Sequence, residues 1–110
     1  MELINNIEIL KRIIASESFC MLYVQAPDCG LCSIMLDKID TLAQRFEKLI
    51  TARVELHVVP EIAGEFLVAT APTVLLFVNG KEVYRAGNFI DTVDLAQVLT
   101  KWNDNITLQS

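Results

Sequence analysis

The part of this chain that most restricts its fold is the run Phe19-Cys20-Met21-Leu22-Tyr23-Val24, with Cys29 and Cys32 close behind it and a long amphipathic pattern after that. A continuous apolar run of this kind reads as a strand covered on both faces, and therefore as a central one, over about 19–25. Beyond the cysteines, Met35, Ile39, Leu42, Ala43, Phe46 and Leu49 recur at three- and four-residue spacing. That spacing predicts a helix from Cys29 or Gly30 to about Leu49. The cysteine pair then falls where the end of a strand turns into a helix. At i and i+3 the two thiols share one helical face and can close a small ring. The N–H groups and partial positive charge of a helix N-terminus favour thiolate over thiol, and thiolate is the nucleophile of disulfide exchange. Strand, Cys-x-x-Cys and helix together make a coherent redox site. The same spacing is half of a zinc site, but zinc takes four ligands. Outside the pair only Cys20 and His57 remain as candidates, and they do not form a second close pair. Two structural cysteines at a chance spacing are the other alternative.

With 110 residues and 53% hydrophobic content, the chain fits one domain, taken as 1–110, with material for a sizeable core. It has no run of about 18 apolar residues, so no membrane span is expected. Met1–Asn6 lacks the basic region that opens a signal peptide. The expected compartment is the cytoplasm, where a Cys-x-x-Cys is more often catalytic or metal-binding than a structural bridge. The net charge of −5 argues against nucleic acid, which requires a basic patch, and otherwise serves solubility.

The remaining elements follow from periodicity and breakers. Leu3, Ile4, Ile7, Leu10, Ile13 and Ile14 have helical spacing over 3–15, and Ser16-Glu17-Ser18 interrupts it. Cys20 lies inside the first strand and reads as a small buried hydrophobe. The charged and amide side chains between Asp37 and Lys48 form the solvent face of the long helix. Thr51–Val58 alternates apolar and polar residues, giving a strand with one more polar face. His57 stands on that polar side as a surface residue and not as a catalytic base. Pro60 suits the first turn of a short helix over about 60–69. Thr73–Val78 is a strand, and Asn79-Gly80 is a strong hairpin signal leading to a strand at about 82–86, which Gly87 ends. Asp91 caps a last helix with Val93, Leu95 or Ala96, Val98, Leu99 and Trp102 as its apolar stripe. The polar tail after Trp102 is expected to fray. The expected fold is thus α/β: a mixed four-stranded sheet, flanked by helices, whose first two strands are parallel through a right-handed crossover.

At this point the sequence resembles the thioredoxin family. The residues that carry the likeness are Ala26-Pro27-Asp28-Cys29-Gly30-Leu31-Cys32, then Ala71-Pro72-Thr73-Val74-Leu75-Leu76-Phe77, then Asn79-Gly80-Lys81 and Gly87. They span about residues 19–102 in the family's order. The family's first strand is missing from this reading, since the chain opens on a predicted helix. The resemblance implies that Pro72 follows a cis peptide bond and faces the cysteines. It also implies that Ala71, Pro72, Gly30, Leu31 and Gly87 line a substrate groove. Several positions depart from the pattern. Asp28 and Gln25 stand where tryptophans are usual, and Leu31 stands where thioredoxins proper have proline. Tyr23 occupies the place of a buried aspartate that assists proton transfer, and Arg53 matches the lysine that accompanies it.

The activity implied is thiol–disulfide exchange, with Cys29 as nucleophile and Cys32 as resolving thiol. No cofactor or metal is expected. Substrates would be disulfide-containing proteins or small disulfides, and electrons would come from a separate thioredoxin-reductase-like enzyme or from small thiols. A tyrosine is neutral near pH 7, so Cys32 would have to lose its proton unaided, to solvent or to the leaving group. The alternative is an adaptor, redox-inactive or redox-sensing, whose groove binds a partner protein.

Overall fold

The computed structural model describes residues 1–109, with side chains to residue 106. Its elements in chain order are β1 (Glu2–Leu3), α1 (Ile7–Ser16), β2 (Phe19–Gln25), α2 (Gly30–Ala43), β3 (Ile50–Glu55), α3 (Glu61–Phe66), β4 (Thr73–Val78), β5 (Lys81–Gly87) and α4 (Thr92–Gln109). The strands form one sheet in the order β1-β3-β2-β4-β5. β3 runs parallel to both β1 and β2, whereas β4 is antiparallel to β2 and to β5.

The apolar run of β2 is central for the reason its composition suggested. Phe19 to Val24 are all buried, and alternate side chains go to opposite faces. On one face Phe19, Met21 and Tyr23 join Val74 and Leu76 of β4 beneath α2 and α4. On the other, Cys20, Leu22 and Val24 join Ala52, Val54 and Leu75 beneath α1 and α3. The sheet is therefore covered on both sides, as a mixed α/β sheet requires. Among the described residues no helix is long and apolar enough to cross a membrane.

The sheet has five strands, not four, because the family's first strand is present. Glu2 and Leu3 pair with Ala52 and Arg53, and the Ile4 N–H donates to Arg53 O. The opening helix consequently starts at Ile7, where Asn6 Oδ1 accepts the Glu8 and Ile9 N–H groups at 2.9 and 3.0 Å. α2 ends at Ala43. Its apolar spacing outlasts it because three-residue turns carry Phe46 and Leu49 into the same core. β3 stops at Glu55, whose carbonyl accepts the Val58 and Val59 N–H groups in a turn, so Val59 is buried and Val58 exposed. α3 is shorter than its pattern and ends on Leu67 in the left-handed region. Asn79 and Gly80 both have positive φ, as a tight two-residue hairpin requires. Asp91 Oδ1 caps α4 through the Val93 and Asp94 N–H groups. Val93 is exposed and not part of the stripe. Nor does the tail fray after Trp102: α4 continues to Gln109 with Ile106 buried in the core, and Ser110 lies outside the described residues.

Candidate active site

The site forms at the C-terminal end of β2. Ala26–Asp28 carries the chain from the strand to the helix, with Asp28 in the left-handed region at φ 56°. Aspartate tolerates that conformation better than most residues because its short polar side chain bonds locally. Cys29 then serves as the N-cap of α2: its Sγ accepts the Cys32 N–H at 3.1 Å. Cysteine is an unusual cap, since serine, threonine, aspartate and asparagine are the residues preferred there. Cys29 and Cys32 are joined as a disulfide. Cys29 is half-buried and Cys32 buried, so the outer sulfur is the more accessible one.

Of the other predicted site residues, Gly30 and Leu31 lie between the cysteines and Ala71 approaches Cys29, while Pro72 and Gly87 meet each other next to Ala71. Gly30 and Leu31 make the first turn of α2 between the cysteines, Gly30 exposed and Leu31 half-buried. The loop before β4 lies alongside, with Ala71 O 4.0 Å from Cys29 Sγ. The Ala71–Pro72 peptide bond is cis. Gly87 pairs with Thr73 at the end of β5, and the next N–H, of Asn88, donates to Pro72 O at 2.8 Å. A Cβ at Gly87 would stand 3.3 Å from Thr73 Oγ1, so the missing side chain lets the two segments approach.

Behind the pair, the Tyr23 hydroxyl donates to Cys32 O at 2.7 Å. This buried ring fills the space under the first turn of α2, and burial pushes its pKa up to about 12. It is thus a neutral donor throughout the range in which a thiol titrates. Arg53, its neighbour in β3, is directed to Met1 O at 3.1 Å.

A cleft of about 470 Å³ opens beside the cysteines. Both sulfur-bearing residues line it, as do Gln25, Asp28, Ser33 and Glu55. In the sequence Glu55 is one polar position of the alternating run Thr51–Val58. What brings it here is the parallel register that sets it beside Gln25, a non-local fact. A larger concavity of about 930 Å³ lies between α2 and α4, lined by Leu42, Arg45, Val93 and Ala96 among others; it contains neither cysteine. The cysteine pair lies on the smaller cleft.

A β2-α2-β3 unit followed, after α3, by the β4-β5 hairpin and α4, with a Cys-x-x-Cys pair at the β2–α2 junction, defines a thioredoxin-like disulfide site. Comparison with known proteins agrees. The Thioredoxin family model matches residues 3–101, and the chain belongs to the thioredoxin family. It is 28% identical over 92 residues to thioredoxin-like protein YdfQ of Bacillus subtilis, covering 84% of this chain and 82% of that protein. It is 30% identical to a thioredoxin of Griffithsia pacifica, covering 83% and 84%. The fold superposes on oxidised thioredoxin from Plasmodium falciparum with a TM-score of 0.83, at 17% identity and over 94% and 98% of the two chains.

Proposed function

We propose that this protein is a thiol–disulfide oxidoreductase in which Cys29 attacks a substrate disulfide and Cys32 resolves the mixed disulfide. The observation that carries the reading is the unequal setting of the two sulfurs. Cys29 caps α2 and accepts an N–H at 3.1 Å, whereas Cys32 is buried with 5% exposure. In the reduced form the helix N-terminus favours thiolate at the outer position, where a substrate arrives first. The Cys29 thiolate forms a bond to one substrate sulfur and the other leaves with the electron pair. Cys32 then bonds to Cys29, the substrate's second sulfur departs as thiol, and the cysteine pair is left oxidised. Ala71, Pro72, Gly30, Leu31 and Gly87 form the surface on which a disulfide-bearing protein segment would rest. Separate reductases or small thiols would return the electrons, in a cytoplasmic setting that also suits the free buried Cys20.

The test is reduction of a protein disulfide by the chain, with dithiothreitol as electron source. The wild type should turn over. Cys29→Ser should abolish exchange, and Cys32→Ser should accumulate a covalent mixed disulfide visible by mass spectrometry. A trapped adduct on Cys29→Ala together with an inert Cys32→Ala would reverse the order of the two thiols. A wild type that reduces nothing would leave an adaptor role instead.

A further inference from the structure

Resolution requires a buried thiol to lose a proton, and few titratable or charged groups surround Cys32. From β2 comes Tyr23, whose hydroxyl donates to the Cys32 backbone and is no acceptor for its proton. From the β2–α2 loop and the start of α2 come Asp28, exposed, and Cys29 itself. The sheet face under α2 carries apolar side chains from β4 and α4, Val74, Leu76 and Leu95. From β3 come Arg53, engaged with Met1 O, and Glu55.

Glu55 is placed by the sheet. In a parallel pair, residues in register share a face, and side chains two apart along a strand share it too. Tyr23 pairs with Arg53 and Gln25 with Glu55. Glu55 therefore lies on the face that carries Tyr23 and α2, one step further towards the cysteine end. Its side chain is 27% exposed and lines the same cleft as Cys32. Gln25 Nε2 donates to Glu55 Oε1 at 3.4 Å, and His57 Nε2 stands 3.3 Å from Oε2. Two neighbours thus hold the carboxylate at the cleft.

The geometry points to Glu55 as the carboxylate that accepts the Cys32 proton during resolution, through a water in the cleft, with Gln25 and His57 as its positioning residues. This rests on the thiol–disulfide reading above. As Cys32 sulfur begins to bond to Cys29, its S–H proton passes to the Glu55 carboxylate. The Cys29–substrate S–S bond breaks, and its electron pair leaves on the substrate sulfur, which takes up a proton from solvent. Glu55 then returns its proton to solvent. A carboxylate is a weak base towards a thiol. The thiol becomes strongly acidic only as the new S–S bond forms, so a weaker base suffices in that transition state.

The experiment is a stopped-flow single turnover of the reduced chain with dipyridyl disulfide. It releases two coloured thiopyridones in sequence, the first on attack by Cys29 and the second on resolution by Cys32. General-base assistance predicts a wild-type second phase that is flat in pH across the range where Glu55 is ionised and Cys32 still holds its proton. Glu55→Gln should leave the first phase intact. Its second phase should fall about tenfold or more at the acid end and climb one decade per pH unit, since only free thiolate then reacts. Glu55→Asp should restore part of the flat region, and Gln25→Ala, which removes a neighbour that does not titrate, should lower its height without changing its shape. A wild-type second phase that itself climbs one decade per unit overturns the proposal without recourse to any variant. So does a flat region that survives Glu55→Gln or disappears in Asp28→Asn. Absence of the first phase in the wild type would instead strike at the oxidoreductase reading.

Discussion

Tyr23 shows how one side chain ties the reactive turn to the sheet. It is fully buried, and its hydroxyl donates to Cys32 O. Tyr23→Phe keeps the ring and removes that bond, while the carbonyl retains its place in the helical ladder of α2. We expect a loss of about 1 kcal/mol in urea unfolding, the usual net worth of one hydrogen bond. Tyr23→Asp should cost at least about 3 kcal/mol, because a cavity and a buried charge arrive together. Equal midpoints for the two variants would show that the ring contributes nothing. Leu67 makes the opposite prediction. It ends α3 at φ 55° and ψ 47° and is 78% exposed, so it gains little from burial while its Cβ opposes a left-handed backbone. Arg85 Nη1 donates to its carbonyl at 2.8 Å and helps hold the conformation. Leu67→Gly should raise stability by about 0.5–1 kcal/mol, the relief of strain being partly offset by the greater freedom of the unfolded glycine. An unfolding midpoint that does not rise would show that the exposed side chain has contacts worth as much as the strain.

At the scale of elements, α4 is the clearest case of structure exceeding expectation. Ile106 is seven residues past Leu99, two full turns further along the same face, and both are buried in the core shared with α2. Ile106→Ala should therefore cost about 2–4 kcal/mol, measured by chemical unfolding, where a frayed tail would cost nothing. The polar Asn103-Asp104-Asn105 just before Ile106 hides that turn from a reading by composition. The elements that could be read were those whose cause is local. The apolar run of β2 marks a central strand whatever lies around it, Asn79-Gly80 has the backbone freedom its hairpin needs, and Asp91 sits one residue before α4. The cysteine pair was legible for the same reason, since it punctuates a change from strand to helix. β1 was not legible: two residues carry no period, and Glu2 is held by pairing with Ala52, fifty positions away. Glu55 likewise reaches the cysteine cleft only through the register of β3 against β2. No local pattern distinguishes it from an ordinary solvent-facing strand residue.

For the whole molecule, two-sided packing puts several weakly acidic groups in places where their charged forms are penalised. Burial, and then the nearby Glu17 charge, raise the Cys20 thiol from 9.0 to about 11. Burial raises Tyr23 from 10.0 to about 12. Tyr84 rises from 10.0 to about 12 through burial first, then its hydrogen bond to Asp94 and the charges of Asp94 and Asp91. In each case the folded state holds the proton more tightly than the unfolded chain. Stability is accordingly full below the unfolded-state values and falls as pH rises through the window up to the raised ones, because the unfolded state ionises first. The disulfide form is the right sample, since Cys29 and Cys32 do not titrate in it. Of the three groups Cys20 opens the window, with its unfolded value of 9.0 lying below the 10.0 of the tyrosines. Cys20→Val keeps an apolar side chain of similar size at a site with 0% exposure and removes the ionisation. Urea midpoints measured against pH should therefore fall later in Cys20→Val than in the wild type, with the two curves separating between about pH 9 and pH 11. Parallel curves across that interval would assign the alkaline loss of stability to the tyrosines alone and remove the buried thiol from the account.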